Sequence, residues 1–183
     1  MRKPVPTVER AEALGSADLH DLCEATDMAI LDGGGFGWLK PPPRDRLETY
    51  WRGVLLVPER ALFLARLDGT ICGSAQLVRP PRNNEAQRYV ATLQHSFVAP
   101  WARGHGLARM LVSAVEAAAR AEHFRVLNLD VRETQTAAIR LYQTLGYVHW
   151  GTHPRYARVH GRDVAGLYFY KELGRGKRKD GEE

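Results

Sequence analysis

Residues 97–108 read Phe-Val-Ala-Pro-Trp-Ala-Arg-Gly-His-Gly-Leu-Ala, and the fold is read outward from them. A β-type run ends at Pro100. Arg103, Gly104 and Gly106 then make a tight turn, and residues 106–121 carry Leu107, Leu111, Ala114, Val115 and Ala118 at helical spacing. A strand, a glycine turn and a helix N-terminus in immediate succession leave backbone N–H groups without acceptors beside the positive end of the helix dipole. That combination suits a phosphate. Glycine lets the backbone approach an anion with no Cβ in the way, and Arg103 can add charge-assisted hydrogen bonds. Two common phosphate patterns are excluded. Arg109 stands where a dinucleotide fingerprint needs its third glycine, and no Gly-Lys-Ser/Thr end is present. Taken alone, the segment also reads as a plain strand-to-helix connection.

The bulk properties set limits. A chain of 183 residues with 44% hydrophobic residues is expected to form one domain, assigned here to 1–173, followed by a charged tail, 174–183, read as disordered. No apolar run approaches the roughly 18 residues of a membrane helix, and the opening Met-Arg-Lys-Pro-Val-Pro has no apolar segment behind it, so it does not read as a signal peptide. Two cysteines, Cys23 and Cys72, make neither a disulfide framework nor a zinc site; a cytoplasmic setting and no metal follow. The net charge of +5 suits an anionic ligand, while no RNA-binding motif points to nucleic acid.

In chain order, residues 4–12 are predicted as a strand. A helix with Leu19, Leu22, Cys23 and Thr26 on one face starts at Ser16 and stops at Gly33-Gly34-Gly35. Residues 33–38, Gly-Gly-Gly-Phe-Gly-Trp, read as a loop over a site or as a floppy connector. A second helix follows over 44–54, then strands 61–67 and 70–78 about the Asp68-Gly69 turn. Residues 89–98 read as a long strand with Ala91, Leu93, His95 and Phe97 on one face and Thr92, Gln94, Ser96 and Val98 on the other. Strand 125–131, helix 134–145 closed by Gly146, and strands 147–152 and 164–171 complete the pattern, with Pro154 and Tyr156 in the connecting loop.

A second segment makes the reading specific. Residues 135–147 are Gln-Thr-Ala-Ala-Ile-Arg-Leu-Tyr-Gln-Thr-Leu-Gly-Tyr. With Arg-x-x-Gly-x-Ala at 103–108, this resembles the GCN5-related N-acetyltransferase (GNAT) superfamily, whose turn is Gln/Arg-x-x-Gly-x-Gly/Ala and whose later helix reads Asn-x-x-Ala-Ile-x-Leu-Tyr-x-x-x-Gly-Phe. Ala138, Ile139, Leu141, Tyr142 and Gly146 fall in place; Gln135 stands for the Asn and Tyr147 for the Phe. The close resemblance covers residues 89–148. It implies an α/β (α+β) fold: a mixed, mainly antiparallel twisted sheet with helices on both faces and a V-shaped splay between the fourth and fifth strands. Acetyl-CoA, as co-substrate, would lie in the V. The backbone of Phe97 and Val98 would pair with its pantetheine arm. Arg103, Gly104, His105, Gly106, Leu107 and Ala108 would hold its pyrophosphate, with Gln135 and Ala138 alongside.

The resemblance also assigns chemistry. Tyr142 would protonate the leaving thiolate, a role its phenol can fill; from periodicity alone it is a core tyrosine. Asp130, on the polar face of its strand, is the first choice for the base, with His95, Glu133 and a water chain as alternatives. Glu24, Asp27, Phe36, Trp38, Tyr50, Trp51 and Tyr156 are expected around an amine acceptor, whether a small molecule or a peptide. The last strand, around 167–170, is where such folds often meet in a homodimer. Two other readings stay open: a non-catalytic CoA-binding module of the same fold, and a toxin acetylating aminoacyl-tRNA.

Overall fold

The computed structural model describes residues 2–34 and 36–174, so the tail beyond Gly174 lies outside the described residues. The elements are β1 (Pro6–Ala11), α1 (Ser16–Leu31), α2 (Arg44–Leu56), β2 (Arg60–Leu67), β3 (Thr70–Val78), β4 (Val90–Val98), α3 (Leu107–Ala121), β5 (Val126–Arg132), α4 (Thr136–Thr144), β6 (Val148–Val159) and β7 (Arg162–Glu172). They build one seven-stranded sheet in the order β1-β2-β3-β4-β5-β7-β6. Every neighbouring pair is antiparallel except β4 with β5.

Alternation within β2 shows how the sheet divides two cores. Ala61, Phe63, Ala65 and Leu67 join Leu111, Val112 and Val115 of α3 on one face, while Leu62 and Leu64 join Leu22, Leu47 and Trp51 of α1 and α2 on the other. Leu111 has no exposed surface, so Leu111→Ala would cost about 2–5 kcal/mol. Among the described residues, no helix is long and apolar enough to cross a membrane.

Two strands depart from the predicted pattern, and both departures bear on the site. The expected single face of Ala91, Leu93, His95 and Phe97 is broken: Leu93 packs against the α3 core and Phe97 against the α1/α2 core. The cause is a bulge. Ser74 pairs with Phe97 but Gln76 with Gln94, so β4 carries one extra residue, and His95 takes a φ of +48° there. An inserted residue reverses the parity beyond it. His95 tolerates this left-handed backbone better than a branched residue would.

The second departure is β6. Its predicted loop around Pro154 and Tyr156 is strand throughout, with a wide bulge: His153 pairs with Gly166 and Ala157 with Val164, so residues 154–156 oppose Ala165 alone. Pro154, lacking an N–H, sits where no ladder bond is needed. The real turn is His160-Gly161, both at positive φ (47° and 79°), as a two-residue hairpin requires.

β4 and β5 pair only from Val90–Thr92 with Val126–Asn128. Beyond Thr92 they part, and this splay opens the cleft in which the predicted site residues gather.

Candidate active site

The splay holds two adjoining cavities. One, of about 580 Å³, runs between the end of β4, the turn before α3 and the start of α4. The other, of about 520 Å³, lies between β4, β5, β6 and the loop after α1. Ser96, Gln135, Ala138 and Tyr142 line both, so Tyr142 stands where they meet.

The first cavity is built for an anion. Among the described residues, the backbone N–H groups of 104–109 have no backbone acceptor; the first helical bond runs from Met110 N–H to the Gly106 carbonyl at 3.1 Å. Gly104 and Gly106 adopt φ of +83° and +78°, and a Cβ at either would meet nothing within 4 Å. Left-handed glycines and a fifteen-residue helix thus aim a run of donors into open space. Arg103 and Arg109 also line this cavity. Arg103 reaches across it to Asp32 at 2.6 Å, and Arg109 donates to the Thr144 hydroxyl at 3.1 Å. Phe97 and Val98 form its wall along the unpaired edge of β4. These residues fit a nucleotide diphosphate with an extended arm. His105 fits only through its backbone, since its ring turns back to the carbonyls of Ala102 and Arg103 at 3.3 and 3.0 Å.

Tyr142 is almost wholly buried between Tyr147 and Phe169. Burial pushes its phenol up to about 12, with Ser96 beside it pulling slightly the other way. It is therefore protonated at any physiological pH and available as a donor.

In the second cavity, the Tyr156 hydroxyl donates to Oδ2 of Asp130. Burial and this bond hold the Tyr156 phenol well above its usual range. The ring lies on Gly166, where an added Cβ would overlap it. His95 enters from the bulge and stacks on Phe36, centroids 5.5 Å apart. Burial, together with Arg60, lowers its pKa to about 4, and its Nδ1 has no partner. It stands there as a neutral imidazole.

The described residues of the glycine-rich segment, 33–34 and 36–38, are held by what they pack on and by cleft residues. Phe36 is buried against Trp51, Phe97 and His95, and Trp38 stacks on Phe36. One guanidinium nitrogen of Arg132 donates to the carbonyls of Gly34 and Phe36, both at 2.8 Å, and the Gln135 amide donates to Gly33 at 2.6 Å.

The structure does not bring every expected acceptor residue to the cleft. Glu24 and Asp27 line neither cavity: Glu24 pairs with Arg44 of α2 at 2.8 Å, and Asp27 has one carboxylate oxygen buried without a partner, its carboxyl raised by burial and by Glu24. Trp51 has no exposed surface and donates to Thr26 at 3.2 Å, so it supports Phe36 from behind. Trp38 and Tyr50 brace Phe36 and His95 in the same way. Glu133 accepts the Ala165 N–H at 3.0 Å and closes the β5 end. Conversely, Arg132, Arg158 and Gly166 were not singled out in the sequence. Gly166 carried a readable signal, an isolated glycine inside a strand pattern, which marks a close approach.

The sequence profile of the acetyltransferase (GNAT) family matches residues 24–147. An uncharacterized N-acetyltransferase of Azospirillum brasilense, named for the hisH-hisA intergenic region, is 68% identical over 129 residues, covering 70% of this chain and 77% of its own. Two solved structures share the fold. An N-acetyltransferase from Staphylococcus aureus Mu50 superposes with a TM-score of 0.79 at 20% identity, covering 93% of this chain and 99% of its own. The yncA protein of Salmonella typhimurium, solved with its cofactor acetyl-CoA, gives 0.75 at 21% identity, covering 96% and 98%.

Proposed function

The chain belongs to the acetyltransferase (GNAT) family and is an N-acetyltransferase, and we propose that it carries an acetyl group from acetyl-CoA to a primary amine of a small molecule or peptide by direct attack with both substrates bound. The observation that supports this most is the position of Tyr142, protonated and shared by the two cavities. The anion-binding cavity takes the nucleotide and the second takes the amine, so the reacting atoms meet at its hydroxyl.

Acetyl-CoA supplies the activated acyl group and a thiolate leaving group. The chain supplies the rest. The N–H groups from Gly104 to Ala108 and the Arg103 guanidinium hold the diphosphate. The free edge of Phe97 and Val98 aligns the arm like an added strand. Asp130, with one oxygen held by Tyr156, offers the other to the amine and takes up its proton directly or through water. Tyr142 gives its proton to the departing sulfur. His95, neutral between Phe36 and Tyr50, shapes the amine side rather than acting as the base.

We read residues 1–173 as a single catalytic domain. The non-catalytic reading gives way to membership of an enzyme family. A tRNA acceptor was suggested by the basic balance of the sequence.

A thermal shift with acetyl-CoA, CoA and ATP in parallel tests the cofactor, followed by CoA release with an amine panel. At about 100 times its dissociation constant a ligand adds about 2.7 kcal/mol, which at this size raises the melting point by about 5–10 °C. Acetyl-CoA and CoA are expected to do so and ATP is not. No shift with any of them overturns the proposal.

A further inference from the structure

The acceptor cavity carries positive charge that its own residues do not neutralise. Arg132 and Arg158 both line it, against Asp130 as the carboxylate. Arg132 binds two backbone carbonyls, which take hydrogen bonds but leave the charge uncompensated. Arg158 lies opposite Asp163 in the β6–β7 register, yet that carboxylate pairs with Arg155 at 3.4 Å. Among the described residues Arg158 has no acidic partner. Glu24 and Asp27, which could have drawn a polycation, do not line it, and Glu24 pairs with Arg44.

We infer that the acceptor carries a carboxylate as well as its amine, with Arg158 binding the carboxylate and Asp130 receiving the amine. This deepens the acetyl-transfer reading and rests on it. A guanidinium beside apolar walls such as Phe36, Leu39 and Val131 gains from an oxyanion partner with two parallel N–H bonds. A cationic polyamine would bring a second positive charge against two arginines and be repelled. About 520 Å³ accommodates a free amino acid or the first residues of a peptide. The carboxylate therefore comes either from a free amino acid or from an acidic side chain next to a peptide N-terminus.

Matched acceptors separate these cases. kcat/KM is measured for free amino acids against their amides, and for short peptides with Asp against Asn at the second position, with polyamines alongside. The wild-type enzyme is expected to prefer the acid by at least about tenfold in one of the two series, and that series identifies the source. In Arg158→Gln the preference collapses to about twofold or less through KM, Arg158→Lys restores part of it, and the melting shift with acetyl-CoA persists in both. Equal rates for acid and neutral partners, a preference retained in Arg158→Gln, or turnover confined to polyamines overturns the carboxylate inference and leaves acetyl transfer standing. Acetyl-CoA binding with no acid or peptide acetylated overturns it too. A chain that does not bind acetyl-CoA fails the underlying reading instead.

Discussion

Tyr156 of β6 reaches over the intervening strand β7 to donate its hydroxyl to Asp130 of β5, and the residue beneath its ring is Gly166. Three strands are thereby tied at one point beside the acceptor cavity. Burial and the carboxylate keep the phenol protonated, so Tyr156 is the donor that fixes Asp130 and would not compete for a proton in the base role proposed for that carboxylate. The bulge at 154–156 provides the reach, and the missing Cβ provides the room.

Gly166→Ala should therefore act through Tyr156. The new methyl overlaps the ring, which must swing off Asp130, and overpacking of this kind costs about 1–3 kcal/mol. In a Tyr156→Ala background the same change should cost under about 0.5 kcal/mol, because nothing is left to displace. Melting curves of the two singles and the double close the cycle. Additive losses would mean that Gly166 matters for the strand and not for the ring.

Removal of the Tyr142 hydroxyl separates chemistry from binding. Tyr142→Phe keeps the ring contacts with Tyr147 and Phe169 and deletes the hydroxyl proposed as the proton donor. kcat is expected to fall more than about tenfold, with the acetyl-CoA dissociation constant within about twofold. With the phenol pushed up to about 12, the wild-type rate should show no alkaline loss from this group below about pH 11. Unchanged turnover in the phenylalanine variant would return Tyr142 to a packing role.

Asp130→Asn tests the other end of the proton path. The amide keeps the Tyr156 contact but cannot take up a proton, so kcat should fall by more than about tenfold. Unchanged turnover in the variant would assign the base to water or to another residue.

The backbone of the cleft was largely legible in the sequence. The turn at 103–108 and the helix that carries Tyr142 are local backbone geometry, which is what spacing encodes. The acceptor side was not readable for the opposite reason. Glu24 and Asp27 were expected there on chemical type alone, and in the fold neither lines the cleft, Glu24 being paired with Arg44 of α2. His95 was placed with Leu93 by strict alternation, and one inserted residue moved it to the other face. Tyr156 was assigned to a loop because Pro154 disfavours a regular ladder, whereas the strand absorbs the proline in a bulge. Bulges depend on the partner strand, which a single sequence does not display.

The buried imidazole makes stability depend on mildly acidic pH. His95 has a folded pKa near 4 and an unfolded one near 6.5. Between those values the unfolded chain binds more protons, so stability rises with pH there and is lost as pH falls. About 2.5 units correspond to about 3 kcal/mol lost from pH 6.5 to 4. His95→Asn accepts the same positive φ and cannot titrate. Its stability should be flatter over that interval than the wild type's by about this amount, measured by urea unfolding at several pH values. Parallel curves would mean that the imidazole is solvated when charged.

Arg103 has two claims on its guanidinium. It pairs with Asp32 at 2.6 Å across the mouth of the first cavity, both side chains about half exposed. A diphosphate must displace that carboxylate. An exposed pair is worth at most about 1 kcal/mol, so Asp32→Asn should tighten acetyl-CoA binding by no more than about fivefold, and more at low salt than at high. Arg103→Gln should weaken binding by about tenfold or more, since it removes a charge-assisted contact to phosphate. In the double variant the Asp32 effect should disappear, because the competitor has nothing left to compete for. Calorimetric titration of the four proteins at two salt concentrations gives the coupling directly. If Asp32→Asn instead weakens binding, the pair serves to preorganise Arg103 for the phosphate, and the free chain already presents its cofactor-ready geometry.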